Sequence, residues 1–599
     1  MSDDEAYKAF QNGDYQTALE WYSSQAESGD SDGQGWMGYL YQFGYGVPQN
    51  YKKSFNWYLK SANQGDDFSM NRVGYFYQEG LGVLQNEEQA VIWYQKSADL
   101  GGYVGQNNLG YAYENGIGVK KDYKEAFNWY EKAAGQGYDI AQNNLGLMYK
   151  KGNGVTQDYN QALSWFRKAS NQGYDFAQNN LGYMHQFSYG TPQNYKLAFS
   201  FFEKAANQGN IDGQNNVGFM YEFGKGVNQN YELSFIWYQK AADQGYDVAQ
   251  NNLGQMYKRG FGVTQDYKNA ASWFRKAADQ GFDLAQMNLG EMYVDGYGVN
   301  KDYKQALSWF QKSADQGHAN SEEWLGYMYE FGLGVNKDVK EAFSWYEKAA
   351  NKNNKFAQNK LGAIYEEGAG ISKDYIKATY WYQKSADQGY AFAQKNLGEI
   401  YEYGNGVAQN YKEAFKWYEK AADQGNSSAQ NNLALLYEYG NGIIQNDKLA
   451  LDWFGKSASQ DNSNAIKNLK AFELKTNMKY SKTNEIVSKV IIDNADQAVI
   501  DTSSLEDYAV EMEFWKSIKV SNDLEEYLIY LKKYPNGSFA ELAELRIKKL
   551  NSSSISSDQT NTPKLDYGDY YALIIGNDNY KHLASLSNAV NDANDVASL

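Results

Sequence analysis

From residue 14 onward, apolar residues fall into pairs of short runs at helical spacing, and the pairs repeat. In DYKEAFNWYEKAAGQGYDIAQNNLGLMYKKGNG, residues 122–154, the positions Tyr123, Ala126, Phe127, Tyr130, Ala133 and Ala134 share one face of a first helix. Gly137 follows, a stop that tolerates left-handed backbone. Ala141, Leu145, Met148 and Tyr149 trace a second helix, closed by Gly152-x-Gly154. Asp122, with Glu125 three residues on, predicts a capping box at the start of the first. Each unit therefore predicts a helical hairpin, helix A then helix B.

The hairpin recurs every 36 residues. Trp21, Trp57, Trp93, Trp129, Trp165, Trp237, Trp273, Trp309, Trp345, Trp381, Trp417 and Trp453 keep this register, and Phe201 fills the one gap. A fixed period of this size marks a stacked-repeat solenoid. The position of Asp122 is Asp or Asn in all thirteen copies, and that of Ala126 is Ala or Ser. The position of Gly137 is Gly in eleven, with Asn353 and Asp461 in the others. Gly146 interrupts helix B and recurs in eleven copies, although Gly costs about 1 kcal/mol against Ala there. That predicts close packing by a neighbouring helix, with the Trp filling the space the small residues leave. One hairpin cannot bury both faces, whereas a stack can.

Outside the array the pattern changes. Residues 1–13 predict a short helix that caps the first hairpin, and 14–476 hold the array. Its thirteenth copy is frayed, with Lys470 where the others have Gly or Ala. Residues 477–512 have no clean period and read as a connector. Residues 513–550 predict a small helical hairpin around Pro535-Asn536-Gly537. The Ser-, Asn- and Thr-rich stretch 551–566 reads as a flexible linker. In 567–599 an apolar strand (571–575), a turn and a helix face from Leu586 to Ala597 read as the opening of an α/β unit.

Composition narrows the function classes. The 599-residue chain carries a net charge of −17 and no basic stripe, which argues against nucleic acid. No apolar run approaches the ~20 residues of a membrane span. The acidic N-terminus lacks the layout of a signal peptide, so a cytoplasmic protein is expected. The absence of cysteine excludes disulfides, thiolate metal sites and a cysteine nucleophile. His185 and His318 lie in separate copies and His582 in a loop, so no catalytic set assembles. Gly-x-Gly-Val follows a helix rather than a strand, which makes it a helix stop and not a phosphate loop. No metal or other cofactor is expected.

The copies differ at chosen places on helix A. The residue before the Trp gives Asn56, Ile92, Asn128, Ile236, Tyr380 and Lys416, and the residue two after it gives Arg167 and Arg275. These lie away from the packed stripe and are either solvated surface or contacts for an unidentified protein or peptide partner. The Gln142-Asn143-Asn144 run predicts a ladder of amides along the stack, with peptide binding as its other reading.

The repeated pattern D-Y-x-x-A-x-x-W-Y-x-K-A-A-x-x-G, then A-Q-x-N-L-G-x-M-Y-x-x-G-x-G-V, resembles the SEL-one-like repeats, relatives of the tetratricopeptide repeat. The resemblance implies an all-α, right-handed α-solenoid of about thirteen hairpins that binds protein partners on its inner surface. Residues 513–550 resemble a short module found beside repeat arrays. The stretch YYALIIGNDNYKHLASLSNAVNDANDVASL resembles the first strand and helix of caspase-like cysteine peptidases. That implies a truncated α/β start whose catalytic part belongs to a longer chain, and no activity is expected from the residues present. The function expected first is an interaction solenoid acting as the sensor arm of such a peptidase. The alternative is a non-enzymatic scaffold, and a third reading is a secreted bacterial effector.

Overall fold

In the computed structural model, the described residues are 2–480 and 524–534, with Ala543 and Ile547. The connector from 481, most of the 513–550 hairpin, the linker and the caspase-like start all lie outside them. The chain divides into two compact units, Met1–Gln280 and Gly281–Leu599. Both are built from the same part, and the described residues form helices and turns without a strand.

The part is a pair of 13-residue helices, such as Tyr123–Gly135 and Asp139–Lys151 in the first unit or Tyr411–Asp423 and Ser427–Tyr439 in the second. Each helix A starts as its Asp or Asn implies: the Asp122 carboxylate accepts from the N–H groups of Lys124 and Glu125. The capping box itself is not formed. Its second half needs the Asp122 N–H, and that group donates instead to the Tyr113 carbonyl of the preceding helix B, at 2.8 Å. The same bond joins Asn410 to Tyr401 in the second unit. Among the described residues a complete box forms at Ser2 and Glu5, where no hairpin precedes. Helix A ends as expected, with Gly137 at φ +95°; Asn353 and Asp461 take the same left-handed backbone at +64° and +60°.

The core is shared between neighbouring hairpins. Helix A packs more extensively on the helix B before it than on its own. The seam is a ring over a glycine: a Cβ on Gly146 would lie 2.6 Å from the Phe166 ring, and one on Gly398 would lie 2.5 Å from Tyr418. The ring that fills this space is the residue after the Trp, which corrects the expectation for the Trp itself. Tyr130, Phe166, Tyr346 and Tyr418 are fully buried. The indole lies about 100° round the helix from that ring. Trp165 packs on the core of the previous hairpin, and its outer face is covered by the Lys168 ammonium at 3.5 Å.

The ends of the array are closed by aromatic packing. The helix Asp3–Gln11 buries Ala6, sets Phe10 against Trp36 at 5.4 Å, and accepts the Trp21 indole N–H on Asp3 at 2.8 Å. In the second unit the helix Ser463–Thr476 packs Phe472 on Phe454, and Tyr480 covers this cluster. Farther on, the helix Leu524–Lys533 buries Tyr527 and Tyr530 against Ala543.

Candidate protein-interaction surface

Helix A presents the residues that vary between copies. Asn56, Ile92, Arg167, Ile236, Tyr380 and Lys416 are exposed, while Asn128 and Arg275 are half-buried. Each stands on a different hairpin. Ile92, Ile236 and Tyr380 leave close to half of their surface open. Lys416 is drawn into a local ion pair with Glu413 at 2.6 Å. Tyr380 lines a groove, an open hollow of about 370 Å³ formed with Ile376, Lys384, Gly406 and Val407. Here the lysine cover of the tryptophan is loosened: Lys384 stands 5.4 Å from Trp381 and 4.9 Å from Tyr380, against 3.6 Å for Lys132 over Trp129.

Helix B carries the amide ladders, and there are two. In the first, Gln136 at the end of helix A donates to Gln106 of the preceding helix B at 2.9 Å and also to the Gly101 carbonyl. Gln106 in turn donates to Ala98, closing a buried chain from hairpin to hairpin. In the second, Asn144 donates to Asn107 at 3.1 Å, Asn180 to Asn143 at 2.8 Å and Asn216 to Asn179 at 2.9 Å. Asn396 and Asn359 repeat this in the second unit. The amide ladder expected from the Gln-Asn-Asn run is thus a structural feature. A third rung is added where helix A carries Tyr: Tyr238 donates to the Glu222 carboxylate at 2.8 Å. Burial, and then the Glu222 charge, hold the Tyr238 hydroxyl well above its ordinary pKa, so it stays protonated and remains the donor.

The open side of helix B holds residues that periodicity alone does not single out. In the second unit Phe331, Phe356, Phe392, Tyr403 and Tyr439 are between 42% and 66% exposed. Tyr390 joins Phe356 and Phe392 into one aromatic cluster, with centroids 5.0 and 5.5 Å apart. The available signal is positional: the second position of helix B is aromatic here and at Phe68 and Phe176, and its last position here and at Phe43, Phe187 and Phe223, where the remaining copies have aliphatic, polar or charged residues. Exposed aromatics gathered on one face are the composition that protein interfaces favour. Among the described residues no group of His, Asp and Glu could hold a metal ion, and no helix is long and apolar enough to cross a membrane.

Comparison with known proteins places this geometry. The model of the Sel1 repeat matches thirteen times, first at residues 9–30 and last at 427–462. Among solved structures, c5321 of uropathogenic Escherichia coli, described as a protective antigen displaying an SLR fold, is similar at 32% identity and a TM-score of 0.57. The match covers 85% of this chain and 99% of that one. A Sel1 repeat protein from Oxalobacter formigenes is 37% identical over 52% of this chain and 89% of its own, with a TM-score of 0.40. No curated protein matches.

Proposed function

Since the chain belongs to the Sel1 repeat family, we propose that it works as a non-catalytic scaffold that holds a protein partner along the helix B face. The observation that carries this reading is the cluster of exposed aromatics on that face. Phe356, Phe392, Tyr403 and Tyr439 stand open to solvent on helices that the amide ladders tie to their neighbours. Rigid aromatic anchors lose little conformational freedom when a partner arrives. The exposed residues of helix A, Tyr380 foremost, form a second surface for the same purpose. The narrower reading, a sensor arm for a caspase-like peptidase, rests on residues 567–599 alone, and the described residues add no support to it. The scaffold reading needs only the array.

Selection of peptides from a random library on the full chain tests the proposal. Retained peptides are expected to weaken by about tenfold or more when Phe392 and Tyr403 are both replaced by Ala, a loss in the range of interface hot spots. Retention of no peptide, or binding that neither this pair nor Tyr380→Ala alters, would remove the scaffold reading.

A further inference from the structure

Among the junctions of the second unit that break the Asn ladder, one sets two charged residues opposite each other. Where most junctions pair Asn with Asn, the helix Ala319–Phe331 carries Glu323 and the next helix B carries Lys360. Their ladder bond is not made. The Lys360 ammonium turns to the Glu330 carboxylate, 3.1 and 3.2 Å from its oxygens, and lies 5.9 and 5.3 Å from the rings of Tyr327 and Phe331. Glu323 is left half-buried, with no hydrogen bond or ion pair among the described residues. The indole of Trp324, the next residue, is pinned by stacking on Phe310 at 5.3 Å and meets the edge of Tyr327 at 5.7 Å. The charged groups facing Glu323 are Glu291 on the helix before, Glu330 on its own helix and Lys360 on the helix after. The nearby ammonium is already held by Glu330.

We propose that this place is a receptor for one cationic side chain, a lysine or arginine of a protein partner, seated on the Glu323 carboxylate against Trp324 and Tyr327. The inference rests on the scaffold reading and names the chemistry of its partner. The chain itself shows that the face takes a cation: Lys360 is held by two rings and a carboxylate, the combination an incoming lysine or arginine would meet. A carboxylate withdrawn from water gains more from a new cation than a solvated one does. Burial raises the Glu323 pKa to about 7, with Glu291 and Glu330 adding to the rise and Lys360 opposing it. Glu323 is therefore increasingly ionised above that pH, and binding strengthens from pH 6 to pH 8.

The test uses peptides selected on the full chain, with affinity read by fluorescence polarisation. The selected peptides are expected to share a Lys or Arg. Its replacement by norleucine weakens binding by about tenfold, as expected for a charge-assisted contact. Glu323→Asn abolishes that difference, while Glu131→Gln on the helix A face leaves it intact. Asn stands at this place in most copies, so the variant keeps the fold. Peptides without a shared cation, or a lysine-to-norleucine difference that survives Glu323→Asn, would overturn the receptor and leave the scaffold standing. Retention of no peptide at all overturns both.

Discussion

The same glycine-to-alanine change has opposite consequences at two places in one hairpin. Gly146 lies under the Phe166 ring, and an added Cβ would meet it at 2.6 Å; Gly135, at the end of helix A, has nothing within 4 Å. Gly146→Ala is expected to cost about 1–3 kcal/mol through overpacking, less the roughly 1 kcal/mol that Ala gains over Gly in a helix. Gly135→Ala should gain up to about 1 kcal/mol. Urea unfolding of the two variants checks both signs, and equal effects would show that the seam is looser than the geometry implies. The eleven recurrences of the Gly146 position were legible in the sequence as a demand for close approach. Which ring makes that approach was not legible, because Trp129 and Tyr130 are adjacent and both suit a core. Only the phase of helix A against its neighbour seats the Tyr over the glycine and leaves the Trp to be covered by Lys132.

Between elements, junctions change in matched pairs. The Gln–Gln rung becomes Glu322 with Lys352, whose ammonium reaches the carboxylate at 2.8 Å and also the Gly317 carbonyl at 2.7 Å. At another junction Met70 and Leu100 stand at the same two places, and in the Asn ladder Met287 and Trp324 replace an amide pair. These residues are 30 or 37 apart, so the period of 36 does not reveal the pairing; contact across the seam does. Glu322 is almost fully buried and Lys352 is partly open. Lys352→Gln alone leaves a buried carboxylate without its counter-charge and is expected to cost about 2 kcal/mol, below the 3–5 of a fully buried pair. Adding Glu322→Gln rebuilds the amide rung and should recover most of that loss. A thermal-unfolding double-mutant cycle measures it, and a double variant no better than Lys352→Gln would deny that the rungs are interchangeable.

At the scale of the whole molecule, each unit is a chain of nearest-neighbour seams, so local stability follows local chemistry. Several carboxylates raised by burial load it unfavourably, Asp212 and Glu323 among them. In the first unit burial, with the charges of Asp247 and Asp175, lifts the Asp212 pKa to about 6, and Glu323 in the second unit is raised to about 7. A carboxylate whose pKa is higher when folded binds more protons in the folded state, so stability falls as pH rises between the unfolded and the folded pKa. For Asp212 that window runs from the ordinary 3.8 to about 6, and for Glu323 from 4.5 to about 7. Asp212→Asn and Glu323→Asn should each flatten the decline in melting temperature between pH 4.5 and pH 8. Tyr246 donates to Asp212 at 2.9 Å, so the Asn variant keeps an oxygen acceptor there. An unchanged pH profile would mean that both groups titrate normally.

The sequence by itself determined the parts: the period, the two helices of each hairpin, their Asp or Asn starts, their left-handed stops and the amide ladder. These follow from local chemistry repeated thirteen times, and each copy supports the reading of the others. The tertiary structure decided the partnerships. It gave the Asp122 N–H to the neighbouring helix B instead of to Glu125, because a backbone carbonyl was already in place there. It shared the core across hairpins more than within them, since one 13-residue pair cannot enclose its own apolar faces. It opened the aromatics of helix B to solvent, and it turned Lys360 away from Glu323, because Glu330 and two rings lie within its reach. Spacing along one chain records which residues share a helix face; which group across the seam they meet depends on the packing of the next hairpin.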